Sequence, residues 1–229
     1  MGNADERAAL KASAHSAIDA VSRELARGEI AEADWQERVS TALATAYLQE
    51  EDPRWQSGFD GDARLWREAR ELVLDAVAGD GTLLDVGCAN GHLMESLDAW
   101  ARERGLVLAV YGLEINAELA EAARRRLPEY AERIFIGNAS DWTPSRRFTY
   151  VRTGLEYAPP GREASLIAHL LREVVEADGR LIVGPISETS LSETVAAFGG
   201  ASISKPAVAS ATDHNGKTRY VLWASSLEW

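Results

Sequence analysis

The 229-residue chain is 46% hydrophobic and 26% charged and carries one cysteine, Cys88, which excludes a disordered or low-complexity polymer and a disulfide-built secreted scaffold. Its net charge of −12 has the opposite sign to the footprint of a protein that neutralises phosphates, so nucleic acid is not expected as a partner. No stretch approaches the roughly 18 apolar residues of a membrane span, and the start MGNADERAALKASAH lacks the basic end and apolar run of a signal peptide, so a cytoplasmic protein without membrane contact is expected.

The length suits one large domain with an extension, and the charge divides the chain in the same way. Residues 1–80 hold 17 acidic and 9 basic side chains, most of the excess negative charge. Leu10, Ala14, Ile18, Val21 and Leu25 recur at helical steps and predict a first helix ending near Gly28. Asp34 with Glu37 three residues on reads as a capping box opening a second helix, whose apolar face is Trp35, Val39, Leu43 and Tyr47. The segment EEDPRWQSGFDGD has no period and predicts a loop, followed by a third helix with Leu65, Ala69, Leu72, Val73 and Ala76 on one side. Residues 1–61 are therefore expected to form a helical extension or lid, and residues 62–229 a core domain. The tryptophans Trp35, Trp55 and Trp66 suggest that these helices pack on something, either the core or, in a homodimer, a second copy.

From residue 81 short apolar runs alternate with helical stretches, the signature of a parallel sheet covered by helices. The runs are Thr82–Val86, Val107–Leu113, Ile134–Ile136, Phe148–Arg152 and Leu181–Val183, with helices expected near 91–104, 117–127, 161–177 and 189–198. Around Asp213-His214-Asn215-Gly216-Lys217 the pattern is that of a hairpin, Asn-Gly being its strongest local signal. The expected fold class is α/β: a Rossmann-like seven-stranded mixed sheet flanked by helices, behind an N-terminal helical extension.

The first strand runs into LLDVGCANGHL, with Asp85, Gly87, Ala89 and Gly91 at alternate positions, and the second ends in Glu114. In open α/β sheets ligands lie at the carboxyl ends of the strands, where small residues permit close approach and an acidic side chain accepts from ribose hydroxyls. A dinucleotide fingerprint would need glycines where Ala89 and His92 stand, which disfavours NAD and FAD. The D-x-G-x-[GA]-x-G run, the acid ending strand two and the terminal hairpin together resemble class I S-adenosylmethionine-dependent methyltransferases over roughly residues 62–229.

The resemblance implies S-adenosyl-L-methionine as cofactor. Asp85, Gly87, Cys88, Ala89 and Gly91 would line its methionine and ribose side, and Glu114 would bind the ribose hydroxyls. Ile115 would lie against adenine. The family's G-D-A-like turn after strand three is GNASDW here, so Asn138 takes the place of the adenine-reading Asp, with Ala139 and Ser140 beside it. Thr153 at the end of strand four and Phe59 in the loop before the core would complete the cofactor set. The fourth strand leads into RTGLEYAPP, which lacks the [ND]-P-P-[YF] tetrad of enzymes acting on DNA bases or protein glutamine. Glu156, Tyr157 and His92 are the candidate catalytic residues, Glu156 as proton acceptor or partner of a cationic amine. His15, His169 and His214 are scattered, and no metal site is indicated. The expected activity is methyl transfer to N, or to O, of a small molecule, with a cationic amine favoured by the acidic front. An RNA or protein methyltransferase, and a cofactor-binding subunit without transferase activity, are the rivals.

Overall fold

The computed structural model describes residues 4–225. The last four residues of the expected core domain, 226–229, lie outside them, as do residues 1–3.

The sheet has seven strands: β1 Gly81–Val86, β2 Leu108–Glu114, β3 Ile134–Ile136, β4 Phe148–Thr153, β5 Val175–Ser187, β6 Ala207–Thr212 and β7 Thr218–Ser225. Their order is β3-β2-β1-β4-β5-β7-β6, with β1 to β5 parallel and β7 antiparallel to both β5 and β6. The apolar runs are nearly continuous because both faces are covered. Leu83 and Leu84 point to opposite sides of β1, and both are fully buried. One face packs Leu72, Val73, Met94, Leu97 and Trp100, and the other Leu166, Ile167, Leu170 and Phe198. The helices supplying these faces are α3 Ala63–Arg70 and α4 His92–Glu103 on the first, and α6 Glu163–His169 and α7 Leu191–Gly200 on the second. α5 Ala117–Arg126 joins β2 to β3 and adds Ala120 and Ala123 to the first face.

Two further helices, α1 Ala4–Ala26 and α2 Glu32–Tyr47, form an antiparallel hairpin with a small core of its own, Val21, Trp35 and Val39, with Ile18, Leu25, Ile30 and Leu43 around it. Trp35 is 4% exposed and its indole N–H donates to Ser22 Oγ at 2.9 Å, so this ring holds the two helices to each other. Trp66 is likewise enclosed, donating to Ser96 Oγ at 2.9 Å. Both rings are buried within one chain and offer no face to a second copy.

Three element expectations need correction. α2 begins at Glu32, two residues before the expected cap: Asp34 is the third helical residue, and its carboxylate reaches back to the Ala31 N–H at 3.1 Å. Ala31 has no side chain that can cap, so only half of a capping box exists and the sequence signal misplaces it. The third helix is α-helical only to Arg70, after Asp62 caps it by accepting from the Leu65 N–H, and then tightens to a 3-10 segment over Glu71–Ala76. The helix expected to reach residue 177 stops at His169, passes through a π turn over Leu170–Val174 and becomes strand at Val175. Asp178 adopts φ 64° where the β4–β5 register shifts, so this irregular, polar stretch joins β5 without an apolar alternation to announce it.

Candidate functional site

The strand order reverses between β1 and β4, and an open sheet of this kind leaves a crevice at the carboxyl ends of the strands there. The turn from β1 into α4 lies at its floor. Gly87 N–H and Cys88 N–H both donate to the Leu113 carbonyl, at 2.7 and 3.1 Å, which fastens the turn to β2. Gly87 has φ 73°, and a Cβ there would sit 2.2 Å from the Tyr157 ring, so only glycine allows that ring to cover the turn. Ala89 takes a left-handed φ of 47° and donates its N–H to Glu114 Oε2 at 2.9 Å. Asn116 N–H donates to Glu114 Oε1 at 2.9 Å. The carboxylate ending β2 is thus 6% exposed and held from two sides by backbone. Asn90 ties the same turn to the preceding loop, donating to the Pro53 carbonyl and Gln56 Oε1 at 2.9 and 3.1 Å.

The α1–α2 hairpin roofs the crevice. Gln36 exchanges amide hydrogen bonds with Asn138, Nε2 to Oδ1 at 3.2 Å and Nδ2 to Oε1 at 2.8 Å, and also donates to Ser140 Oγ at 3.1 Å. Asn116 Nδ2 donates to Ser40 Oγ at 3.3 Å, and Arg162 pairs with Glu32 at 2.6 Å. Roof and floor enclose a cavity of ≈ 430 Å³.

Of the residues singled out by sequence, Asp85, Gly87, Cys88, Ala89, Glu114, Ile115, Asn138, Ala139, Glu156 and Tyr157 line this one cavity. Five lie elsewhere. Gly91 caps α4 and packs on Leu127. His92 stacks on Trp66 with ring centroids 4.7 Å apart, while Ser140 faces Gln36. Thr153 turns its hydroxyl to the Gly154 carbonyl at 2.9 Å, and Phe59 packs edge-on against Trp66. The cavity adds residues that sequence reading did not place there, Arg70 at its base and His15, Ile18, Trp35, Gln36, Val39, Ser40, Leu43 and Tyr47 from the hairpin, while Arg152, expected at the end of the fourth strand, shares the base. Among the described residues up to 61, no carboxylate is in its walls. Glu24, Glu29 and Glu32 pair instead with Arg38, Arg27 and Arg162 on exposed surface.

The electrostatics at the base are uneven. Arg152 donates to Asp85 Oδ1 at 3.1 Å and to the Gly184 carbonyl at 2.7 Å, and both side chains are buried. Asp85 Oδ2, also buried, has no hydrogen-bond partner. Burial pushes the Asp85 carboxyl up, while Arg152 opposes that shift. The Arg70 guanidinium lies over Phe59 and Trp66, 5.1 and 5.4 Å from the ring centroids, with no hydrogen bond or ion pair among the described residues. Burial, reinforced by Arg152 and Arg219, pushes it down to about 10, so it stays cationic at neutral pH. Burial also raises Glu114 against the pull of the Asn116 and Ala89 N–H groups, and brings Tyr47 up to about 12. His92 is shifted down by burial and by Arg126.

Cys88 is 2% exposed, and burial together with Glu114 and Asp85 pushes its thiol well above the ordinary range. Its thiolate is therefore scarce at any pH where the fold survives. Iodoacetamide at about pH 8 is expected to leave Cys88 unmodified in the folded protein and to alkylate it once guanidinium unfolds the chain, read by intact mass.

No family model matches the sequence, and no curated protein matches it. Solved structures do. The 1,6-didemethyltoxoflavin-N1-methyltransferase of Burkholderia thailandensis, crystallised with 1,6-didemethyltoxoflavin and S-adenosylhomocysteine, is 15% identical, with 86% of this chain and 90% of that chain covered at a TM-score of 0.59. The [4+2]-cyclase SpnF is 15% identical over 80% of this chain and 92% of its own, at 0.52. A TehB-like SAM-dependent methyltransferase from Corynebacterium glutamicum is 20% identical over 80% of this chain and 96% of its own, at 0.50. The chain has the Rossmann-like fold of these proteins. One of them is named for a cyclisation, so the fold by itself does not fix the reaction.

Proposed function

We propose that the chain is a methyltransferase that binds S-adenosylmethionine in the ≈ 430 Å³ cavity and methylates nitrogen or oxygen of a small molecule. The observation that carries this reading is the set of polar groups left over in that one cavity. Asp85, paired with Arg152 through Oδ1, keeps a buried Oδ2 without a hydrogen-bond partner among the described residues, Arg70 is a cation with neither hydrogen bond nor ion pair among them, and Glu114 is a carboxylate fixed from behind by two backbone N–H groups. A zwitterionic amino-acid tail joined to a ribose supplies the complement of each: ammonium for Asp85, carboxylate for Arg70, hydroxyls for Glu114. Asn138 and Gln36 add the amide donors and acceptors that suit a purine edge.

When bound, the cofactor supplies an electrophilic methyl on sulfur; the chain supplies position and dryness. Glu114, Asp85 and Arg70 fix the donor at three points, and the hairpin excludes water, the two contributions that count most in a direct displacement. A roof of two helices also favours a small acceptor over RNA or protein. The front carboxylates Glu24, Glu29 and Glu32 lie outside this cavity, which leaves Glu156 as the wall carboxylate that could face a cationic amine.

A cofactor-binding protein without transfer activity is the second reading, and Tyr157 favours it. Its hydroxyl lies 3.5 Å from the Gly87 carbonyl and is kept protonated by burial and Glu156, so it offers an acceptor no base. Calorimetric titration with S-adenosylhomocysteine, followed by transfer of labelled methyl to a panel of small amines, phenols and heterocycles with tRNA as control, separates the readings. Micromolar binding with labelled small-molecule product supports the first, binding without any product supports the second, and absence of binding overturns both.

A further inference from the structure

A second cavity of ≈ 220 Å³ lies between α1, α2 and the Trp55 turn, and His15, Leu43, Tyr47 and Gly58 line it and the larger cavity alike. Its remaining walls are the apolar Leu10, Ala14, Ala46 and Trp55 and the charged Lys11 and Glu50, with Lys11 Nζ donating to the Gly58 carbonyl at 3.2 Å. Leu10, Ala14 and His15 come from one stripe of α1, at steps of four and one, and Leu43, Ala46 and Tyr47 from one stripe of α2, so the hairpin geometry itself creates the space. Gly58 sets its inner edge. A Cβ at Gly58 would sit 2.2 Å from the Tyr47 hydroxyl, and φ 76° is a left-handed value, so glycine lets the phenol lie against the backbone where the two cavities meet.

His15 stands at that junction with a defined tautomer. Its Nδ1 lies 2.7 Å from the Lys11 carbonyl. A carbonyl only accepts, so Nδ1 carries the hydrogen and the neutral ring keeps its lone pair on Nε2. Nε2 has no hydrogen-bond partner among the described residues, and the side chain is exposed enough to pass a proton to water. None of Glu156, Tyr157 and His92 lines the second cavity, so it is His15 that joins it to the donor site.

We propose that the smaller cavity is the acceptor pocket, that it takes a one- or two-ring molecule bearing a ring N–H or O–H, and that His15 Nε2 receives the proton lost on methylation. This rests on the methyltransferase reading of the larger cavity. The acceptor's nitrogen or oxygen forms the bond to the methyl carbon, the carbon–sulfur bond breaks with its electrons passing to sulfur, and the acceptor proton goes to Nε2 and then to solvent. The volume lies below the roughly 300 Å³ lower end of drug-sized sites, which limits the acceptor to a compact ring. Trp55 and the aliphatic walls give it a flat apolar seat. The Tyr47 hydroxyl, held neutral, is a donor at the mouth and cannot compete with His15 as base.

The test uses 5-hydroxyindole and 1-naphthol as probes, added to the full chain saturated with S-adenosylhomocysteine, for wild type, Ala46→Phe and His15→Gln. Calorimetry is expected to show ring binding by wild type, weakened about tenfold or more in Ala46→Phe by filling of the pocket, with S-adenosylhomocysteine affinity in Ala46→Phe held within about twofold of wild type. In ¹⁵N-histidine-labelled protein the Nε2 signal absent from His15→Gln is expected to move when either ring is added. Failure of both rings to bind, unchanged ring affinity in Ala46→Phe, or an unmoved Nε2 signal would each overturn the proposal while S-adenosylhomocysteine binding still upheld the cofactor reading. Loss of S-adenosylhomocysteine binding by the wild type itself would remove both.

Discussion

Glu114→Ala is expected to weaken S-adenosylhomocysteine binding by about 10²–10⁴-fold, because two charge-assisted hydrogen bonds to ribose hydroxyls, each worth about 1.5–3 kcal/mol, disappear together. The substitution also strips the Ala89 and Asn116 N–H groups of their acceptor, so the glycine-rich turn loses one of its anchors to β2 and keeps the bonds from Gly87 and Cys88 to the Leu113 carbonyl. Glu114→Gln keeps one acceptor oxygen and is expected to lose about tenfold. Calorimetry on the three proteins checks the order, and equal affinities in wild type and Glu114→Ala would exclude this carboxylate from the cofactor site.

The same residue imposes a pH signature. Burial raises the Glu114 carboxyl in the folded protein above its unfolded value. Between those two values the folded chain binds the extra proton, so the contribution of Glu114 to stability without ligand falls as pH rises. Ribose binding needs the ionised acceptor and strengthens over the same interval. The gain in Tm produced by saturating S-adenosylhomocysteine is therefore expected to grow as pH rises through the interval above the ordinary carboxylate value, and to grow less in Glu114→Gln. A gain that is flat over that range would deny Glu114 the role of titrating ligand.

How much of this could be read without coordinates depends on whether the information is local. The parallel strands are legible because burial on both faces writes an apolar run into each, and the hairpin because Asn215-Gly216 offers the left-handed residue its turn demands. Asp85, Gly87, Ala89 and Glu114 are legible because one turn and one strand end bring them together. The roof is a different matter. Gln36 meets Asn138 across more than a hundred residues, and nothing in either neighbourhood foretells the meeting. Arg70 does not stand out in the sequence, since the periodicity of α3 does not reveal that its guanidinium lies over Trp66 and Phe59. His15 looks isolated along the chain because its significance arises from two cavities meeting beside it and from the Lys11 carbonyl fixing its tautomer. The acidity of residues 1–80 says nothing of which carboxylates face inward, and Glu24, Glu29 and Glu32 pair with Arg38, Arg27 and Arg162 on the surface.

Asp85 has two duties that a pair of variants can separate. It neutralises Arg152 through Oδ1 and offers Oδ2 to the cavity. Asp85→Ala leaves the Arg152 guanidinium buried with only the Gly184 carbonyl as partner, and an uncompensated buried charge of this kind costs about 3–5 kcal/mol. For a chain of this length that corresponds to a fall in Tm of about 10 °C, measurable by calorimetric scanning. Asp85→Ala combined with Arg152→Met removes both charges and is expected to recover most of the lost stability, because packed apolar atoms replace the pair without an orphan. Affinity for S-adenosylhomocysteine should follow a different course: it falls in the single variant and stays low in the double, since neither restores an anion for the amino group. Recovery of binding along with stability would mean that Asp85 serves the fold alone, and that the ammonium of the donor is held by the backbone of the β1–α4 turn.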